Sequence, residues 1–161
     1  MKILNLIEAK KIALNLLVKV DPIDQREFLM IHSEKIGKVA KMIAQKLETN
    51  DEIFEIAGWV HDIGYSKDSD SHADIAVTIL KGLGYEVGEV LEDCILNHGN
   101  GKAPKTIEGK IFQVADKFSI FDVEIIKVML KHGSFPPKKD DVNFLKMMSE
   151  EAFNLLEDFG K

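Results

Sequence analysis

Residues 59–74 read WVHDIGYSKDSDSHAD. An apolar helical run closes on the adjacent pair His61 and Asp62, Gly64 permits a sharp turn, and His72 arrives after the polar loop 66–71. The stretch therefore reads as helix, turn, helix, with imidazole and carboxylate side chains placed where the pattern predicts burial. Neighbours on a helix point about 100° apart, so His61 and Asp62 converge on one ion only where a helix end approaches it closely. By itself the pair is a weak signal.

Working outward, apolar residues recur at intervals of three and four, and alternating period-two runs are absent, which predicts an all-α compact helical bundle. A first helix over about 4–19 ends before Asp21-Pro22. A short helix over 25–31 and a third carrying Ile36, Val39, Ile43 and Leu47 lead to a fourth over about 52–62. Beyond the polar loop, one helix carries Ile75, Ala76, Ile79 and Leu80, and the next runs from about 88 to 97 before Gly99-Asn100-Gly101. The longest helical candidate spans 106–132. Gly133 and Pro136-Pro137 break the chain, and Asp140-Asp141 can cap a final helix carrying Leu145, Met148, Leu155 and Phe159.

The 161 residues, 45% apolar, suit a single domain over 1–161. Cys94 is the only cysteine, which precludes an intrachain disulfide and favours a reducing, cytoplasmic setting. Glu8, Lys10 and Lys11 interrupt the apolar N-terminus, so it reads as an amphipathic helix rather than a secretion signal. No run approaches the roughly 20 apolar residues of a membrane span. A net charge of -6 argues against binding extended nucleic acid. An anionic ligand would need local attraction.

His32, His72 and His98 each fall on an apolar stripe at helical spacing and should point inward. Asp116 lies in IFQVADKF with apolar neighbours on both sides, and an isolated buried carboxylate normally pairs, protonates or binds a cation. His132 passes the same spacing test after Ile125, Val128 and Met129, yet precedes Gly133 at a helix end, where a polar or cationic group is ordinary. Spacing alone marks no site. His98 before Gly99, His72 in a first helical turn and His32 as a core residue have equally ordinary explanations when taken singly.

Taken together, His32 in IHSEKIGKVA, His61-Asp62 in WVHDIG and Asp116 in IFQVADK resemble, in order and helical context, the HD superfamily of metal-dependent phosphohydrolases over about residues 28–122. His72 in SHADIAVTIL and His98 in CILNHGNG resemble the extra histidines of its two-metal members, including the HD-GYP cyclic dinucleotide phosphodiesterases. Through IEGKIFQVADK the likeness is closer to the bacterial diadenosine tetraphosphate hydrolases of this fold. The resemblance implies a first ion held by His32, His61, Asp62 and Asp116, and a second that shares Asp62 and adds His72 and His98. It implies hydrolysis of a nucleotide or other small phosphoester through a metal-bound hydroxide. Such mixed ligands suit iron, manganese, cobalt, nickel or zinc, one ion or two. Two aspartates balance one divalent ion, whereas two ions leave +2, which attracts phosphate.

One position departs from that pattern. Those relatives usually carry Lys shortly after His-Asp, where this chain has Tyr65 and, two residues later, Lys67. Lys67 is the candidate catalytic auxiliary, and Lys67, Lys102 and Lys105 are candidate contacts for outer phosphates, against the ordinary reading of solvated lysines. A di-iron oxygenase of related fold and a non-catalytic metal- or nucleotide-binding regulatory module stand as alternatives.

Overall fold

The computed structural model describes residues 1–132 and residue 150, and among them it forms seven α-helices. The first, α1 (Leu6–Leu17), is capped reciprocally: Glu8 N–H donates to Asn5 Oδ1 at 3.0 Å while Asn5 Nδ2 donates to Glu8 Oε2 at 2.9 Å. Ala9, Ala13 and Leu17, spaced by four, form its buried stripe.

The second helix, α2 (Ile23–Lys46), merges the short helix expected over 25–31 with the one expected to follow it. Residues 32–35 contain no glycine or proline, and Ser33 Oγ donates to Leu29 O at 2.7 Å, so the hydroxyl that competes with helical backbone is satisfied inside the helix. Its inner face buries Leu29, His32, Ile36, Ala40 and Ala44. Against that face α3 (Phe54–Val60) crosses closely at two glycines. A Cβ on Gly58 would lie 2.7 Å from Ser33 O and 2.8 Å from Gly37 Cα, and one on Gly37 would lie 2.9 Å from Glu55 Cα. The two backbones touch, and this contact brings His32 towards the end of α3.

A 3-10 turn (Ile63–Ser66) continues the chain where a simple bend was expected. Gly64 presses on the His72 carbonyl with no room for a Cβ, which joins the turn directly to the start of α4 (His72–Gly82). Next come α5 (Glu89–Leu96) and α6 (Ile107–Ser119), the latter capped by Thr106, which accepts from Gly109 N–H at 2.9 Å. Then α7 (Val123–Lys131) follows as a separate element, so the single helix expected over 106–132 is broken. Ser119 Oγ donates to Asp116 O at 2.7 Å, and Asp122 accepts from Glu124 N–H at 2.8 Å, so local side chains supply the partners that end one helix and start another. The final helix expected from Asp140 onward lies outside the described residues.

Among the described residues no strand forms, and one isolated parallel bridge ties the N-terminus to the α4–α5 turn through Lys2 N–H to Gly84 O at 2.9 Å and Glu86 N–H to Lys2 O at 2.8 Å. No helix among them is long and apolar enough to cross a membrane. Phe54, Ile36, Ile63, Leu80, Ile95, Ile111 and Phe112 are fully buried, and the Phe112 ring meets His61 edge-on at 5.3 Å between centroids. The candidate site thus rests on the core.

Candidate metal centre

Five side chains meet around Asp62. His32 projects from the middle of α2, His61 caps the C-terminus of α3, Asp62 opens the 3-10 turn, His72 is the first residue of α4, His98 follows the end of α5, and Asp116 comes from α6. His61 is wholly buried, and His32, Asp62 and His98 are nearly so. The adjacent pair converges because it lies where α3 ends, so Asp62 is free of helical geometry and turns back towards His61.

The two Asp62 oxygens face different groups. Oδ2 lies 3.1 Å from His61 Nε2 and 3.6 Å from His32 Nε2, and His32 Nε2 lies 3.1 Å from Asp116 Oδ1. On the other side, Oδ1 lies 3.5 Å from His72 Nε2 and 3.6 Å from His98 Nε2. Each group contains a pair of facing imidazole nitrogens: His61 Nε2 to His32 Nε2 at 3.2 Å, and His72 Nε2 to His98 Nε2 at 3.2 Å.

The outer ring nitrogens fix what those inner nitrogens carry. His61 Nδ1 donates to Gly58 O at 2.9 Å, His72 Nδ1 to Ser69 O at 2.7 Å and His98 Nδ1 to Ile95 O at 2.7 Å, in each case to the carbonyl three residues earlier. His32 Nδ1 donates to Ser119 Oγ at 2.9 Å, whose own proton goes to Asp116 O. A carbonyl only accepts, so in the neutral rings the proton sits on Nδ1 and Nε2 presents a lone pair. Four lone pairs and two carboxylates then face one another. Asp62 Oδ1 is buried and has no hydrogen-bond partner. Such an arrangement is costly unless a cation fills it, and the donor set fits a divalent metal: His32, His61 and Asp116 form one group able to hold an ion, and His61, Asp62 and His98 another.

The electrostatics agree with a cation-seeking site, because a second proton, placed on an inner Nε2, makes that ring a charged donor to the carboxylates. Burial opposes ionisation of Asp62, but the charge and hydrogen bond of His61 outweigh it and hold the carboxyl far below the usual range. Asp116 is likewise held low, burial being overcome by its hydrogen bond to and the charge of His32. Burial, reinforced by the charge of His61, lowers His98 to about 4, which leaves it neutral at pH 7. Burial also disfavours the charged form of His61, but Asp62 beside it more than compensates and the net direction is upward.

The remaining candidates lie at different distances from this cluster. Lys67 is exposed at the end of the 3-10 turn, whereas Tyr65 stacks on His72 with ring centroids 4.2 Å apart. Lys102 is exposed and lines a cleft of about 280 Å³ with Asp70, Asp74, His72 and His98. Lys105 is exposed and uses its backbone N–H on Asp93 at 3.0 Å. His132 lies outside the cluster, at the end of α7, where it meets Glu27 Oε2 at 2.9 Å beside Lys131.

Three supporting residues escaped the sequence reading. Gln113, one helical turn before Asp116, shares its Nε2 protons among the carbonyls of Asn97, Gly99 and Lys102 at 3.1, 3.2 and 3.0 Å, and so fixes the loop that carries His98. Ser119 orients His32 as described. Asp93 anchors the far end of the same loop, accepting from Thr106 N–H at 2.8 Å, Thr106 Oγ1 at 2.7 Å and Asn97 Nδ2 at 2.7 Å. The visible signal for Gln113 and Asp93 is a polar residue inside an otherwise apolar stripe.

Burial raises the Asp93 pKa, but the hydrogen bonds from Thr106, then from Asn97 and Lys105, win and hold it below the usual carboxylate range. The stability linked to that lowering is present above roughly pH 4 and is lost as pH falls through the folded-state value. Asp93→Asn turns one acceptor into a donor facing N–H groups, so it should cost roughly 1–3 kcal/mol at pH 7. Urea midpoints of the two proteins should converge as the pH falls through the folded-state value.

Known proteins place this arrangement. The HD domain profile matches residues 29–120. A deoxyguanosinetriphosphate triphosphohydrolase-like protein of Caldanaerobacter subterraneus is 29% identical over 115 residues, covering 60% of this chain and 34% of that protein. Ribonuclease Y of Desulforudis audaxviator is 32% identical over 91 residues, covering 55% of this chain and 17% of that protein. Ribonuclease Y of Treponema denticola is 33% identical over 91 residues, covering 55% and 18%. The chain thus spans about a third or less of the length of these relatives. No solved structure matches the chain significantly. The interval matched by the profile takes in the whole run from the turn before His32 to the turn after Asp116, and with it every segment that brings a side chain to Asp62, so this chain belongs to the HD-domain family.

Proposed function

We propose that the chain, read as one HD unit over 1–161, is a metal-dependent phosphohydrolase that holds two divalent ions and cleaves a nucleotide or other small phosphoester. The observation that carries this reading is the Asp62 carboxylate, whose two oxygens face separate pairs of imidazoles and one of which is buried without a partner. One position would take His32, His61, Asp62 and Asp116, and the other Asp62, His72 and His98. Iron, manganese, cobalt, nickel and zinc all suit these ligands. A bound divalent metal supplies Lewis acidity there, lowering the pKa of coordinated water towards about 7 and neutralising charge on phosphoryl oxygens.

The chain's own residues do the rest. The four Nδ1 contacts lock ring orientation and make each Nε2 a better donor. Burial of His61, Asp62 and His98 keeps bulk water from the inner side of the site and strengthens charge interactions within it. Lys102, at the adjoining cleft, offers a cation to an outer phosphate. The names of the relatives, a triphosphohydrolase-like protein and a ribonuclease, support phosphoester hydrolysis, and the motif likeness to diadenosine tetraphosphate hydrolases adds dinucleoside polyphosphates to the candidates. A short RNA is a second substrate reading, favoured by the ribonuclease relatives.

Elemental analysis should find two divalent ions per chain, and phosphate or nucleotide release should follow addition of a dinucleoside polyphosphate, a nucleoside mono- or triphosphate, a cyclic dinucleotide or a short RNA. Two irons with an optical change on adding substrate and oxygen, and no phosphoester turnover, would establish the oxygenase alternative instead. Normal metal content without turnover on the whole panel would establish the regulatory one. Removing the metal with a chelator should lower thermal stability, because the facing lone pairs and the unpaired Asp62 oxygen lose their cation. At metal 1,000-fold above Kd the difference is about 4 kcal/mol. Calorimetric melts with and without chelator measure it.

A further inference from the structure

We propose that Tyr65 contacts the substrate: with its ring laid on His72, its hydroxyl donates a hydrogen bond to a phosphoryl oxygen of the bound phosphoester. The inference rests on the phosphohydrolase reading and assigns a residue to it. The Tyr65 ring lies 4.2 Å from the His72 ring, centroid to centroid, with 24° between planes. His72 is the most exposed of the four clustered histidines, its side chain 19% accessible, so the stack covers the outer edge of the cluster rather than its buried base.

The local chain fixes this placement. Tyr65 N–H donates to Asp62 O at 3.1 Å within the 3-10 turn, and Gly64 presses on the His72 backbone, so Asp62, Tyr65 and His72 belong to one short rigid unit. The hydroxyl makes no hydrogen bond among the described residues, and the ring that carries it stands beside His72 at the more exposed edge of the cluster. Lys67 stands exposed two residues later.

The chemistry of a phenol suits this location. A tyrosine gives one proton to a phosphoryl oxygen and adds no charge. A wall for His72 needs only the ring, and phenylalanine supplies that equally well. The hydroxyl is therefore the part to test.

The experiment compares wild-type and Tyr65→Phe proteins, both loaded with metal, by elemental analysis and by calorimetric titration with inorganic phosphate. The expected result is equal metal content and phosphate binding about tenfold weaker in the variant, the scale of one hydrogen bond to a charged acceptor. Equal phosphate affinity in the two proteins overturns the proposal and reduces Tyr65 to packing, while the phosphohydrolase reading stands. If metal-loaded wild type binds no phosphate, the proposal and that reading fall together.

Discussion

Asp62→Ala is expected to leave a folded protein with less than about a tenth of the wild-type metal and no turnover above background. Asp62 faces both imidazole pairs with its carboxylate, its Oδ2 3.1 Å from His61 Nε2 and its Oδ1 3.5 and 3.6 Å from the Nε2 atoms of His72 and His98. Loss of an outer-sphere partner alone typically weakens a metal site 10–100-fold. Removing a carboxylate shared by two positions strips both of a charge and a ligand, so the effect should exceed that range. Asp116→Ala removes a group on the His32 side alone, at 3.1 Å from His32 Nε2, and should reduce metal content without emptying the second position. His132→Ala, which breaks the contact to Glu27 at the end of α7, should leave metal and activity unchanged. Elemental analysis alongside circular dichroism checks all three. Normal metal content in Asp62→Ala would remove the ligand assignment.

Gly58→Ala should be strongly destabilising. The added carbon would sit 2.7 Å from Ser33 O and 2.8 Å from Gly37 Cα, and both are backbone atoms of a long helix that has no rotamer to yield. Overpacking of this kind costs about 3 kcal/mol, equivalent to a drop of roughly 6–12 °C in Tm for a domain of this size. Metal uptake should fall as well, because relief comes from moving α3 off α2, and that separates His61 from His32. Gly82→Ala is the internal control: a Cβ there meets nothing within 4 Å, and alanine is the better helix former. In melting curves Gly82→Ala should unfold at or above the wild-type temperature and Gly58→Ala well below it.

How much of this was legible in the sequence depends on whether the relevant physics was local. Helical periodicity carried the fold class, and the glycines after Gly82 and His98 marked real helix ends. Two boundaries misled for a common reason. Residues 32–35 hold no breaker and Glu34 favours helix, so the only local argument for a boundary was Ser33, whose hydroxyl competes with helical backbone until it is seen returned to Leu29. The break after Ser119 was hidden by the apolar run around it, although Asp122 followed by Val-Glu is a legitimate capping signal.

At the site, spacing marked no residue by itself, and it was the likeness to a family in chain order and helical setting that singled out His32, His61, Asp62 and Asp116; that they meet at one carboxylate is a tertiary fact. Gln113 showed only as a polar residue in an apolar stripe; its role was hidden because its three acceptors are backbone carbonyls in a loop eleven to sixteen residues away, and no side-chain pattern announces such a contact. Tyr65 is an intermediate case. Its departure from the expected lysine showed at once, while its seat on His72 needed coordinates.

The outer contacts of the imidazoles divide the two halves of the site by how far each depends on assembly. His61, His72 and His98 are aimed by carbonyls in their own segments, so their rings are set as soon as those turns form. His32 is aimed by Ser119, 87 positions along the chain, and loses its bearing if α6 slips against α2. On the proposed two-ion reading, mild loosening of the bundle, by heat or denaturant short of unfolding, should therefore release an ion on the His32 and Asp116 side first and leave the His72 and His98 side loaded. The protein would pass through a half-loaded species whose existence is written into nothing more than which oxygen each ring happens to lean on.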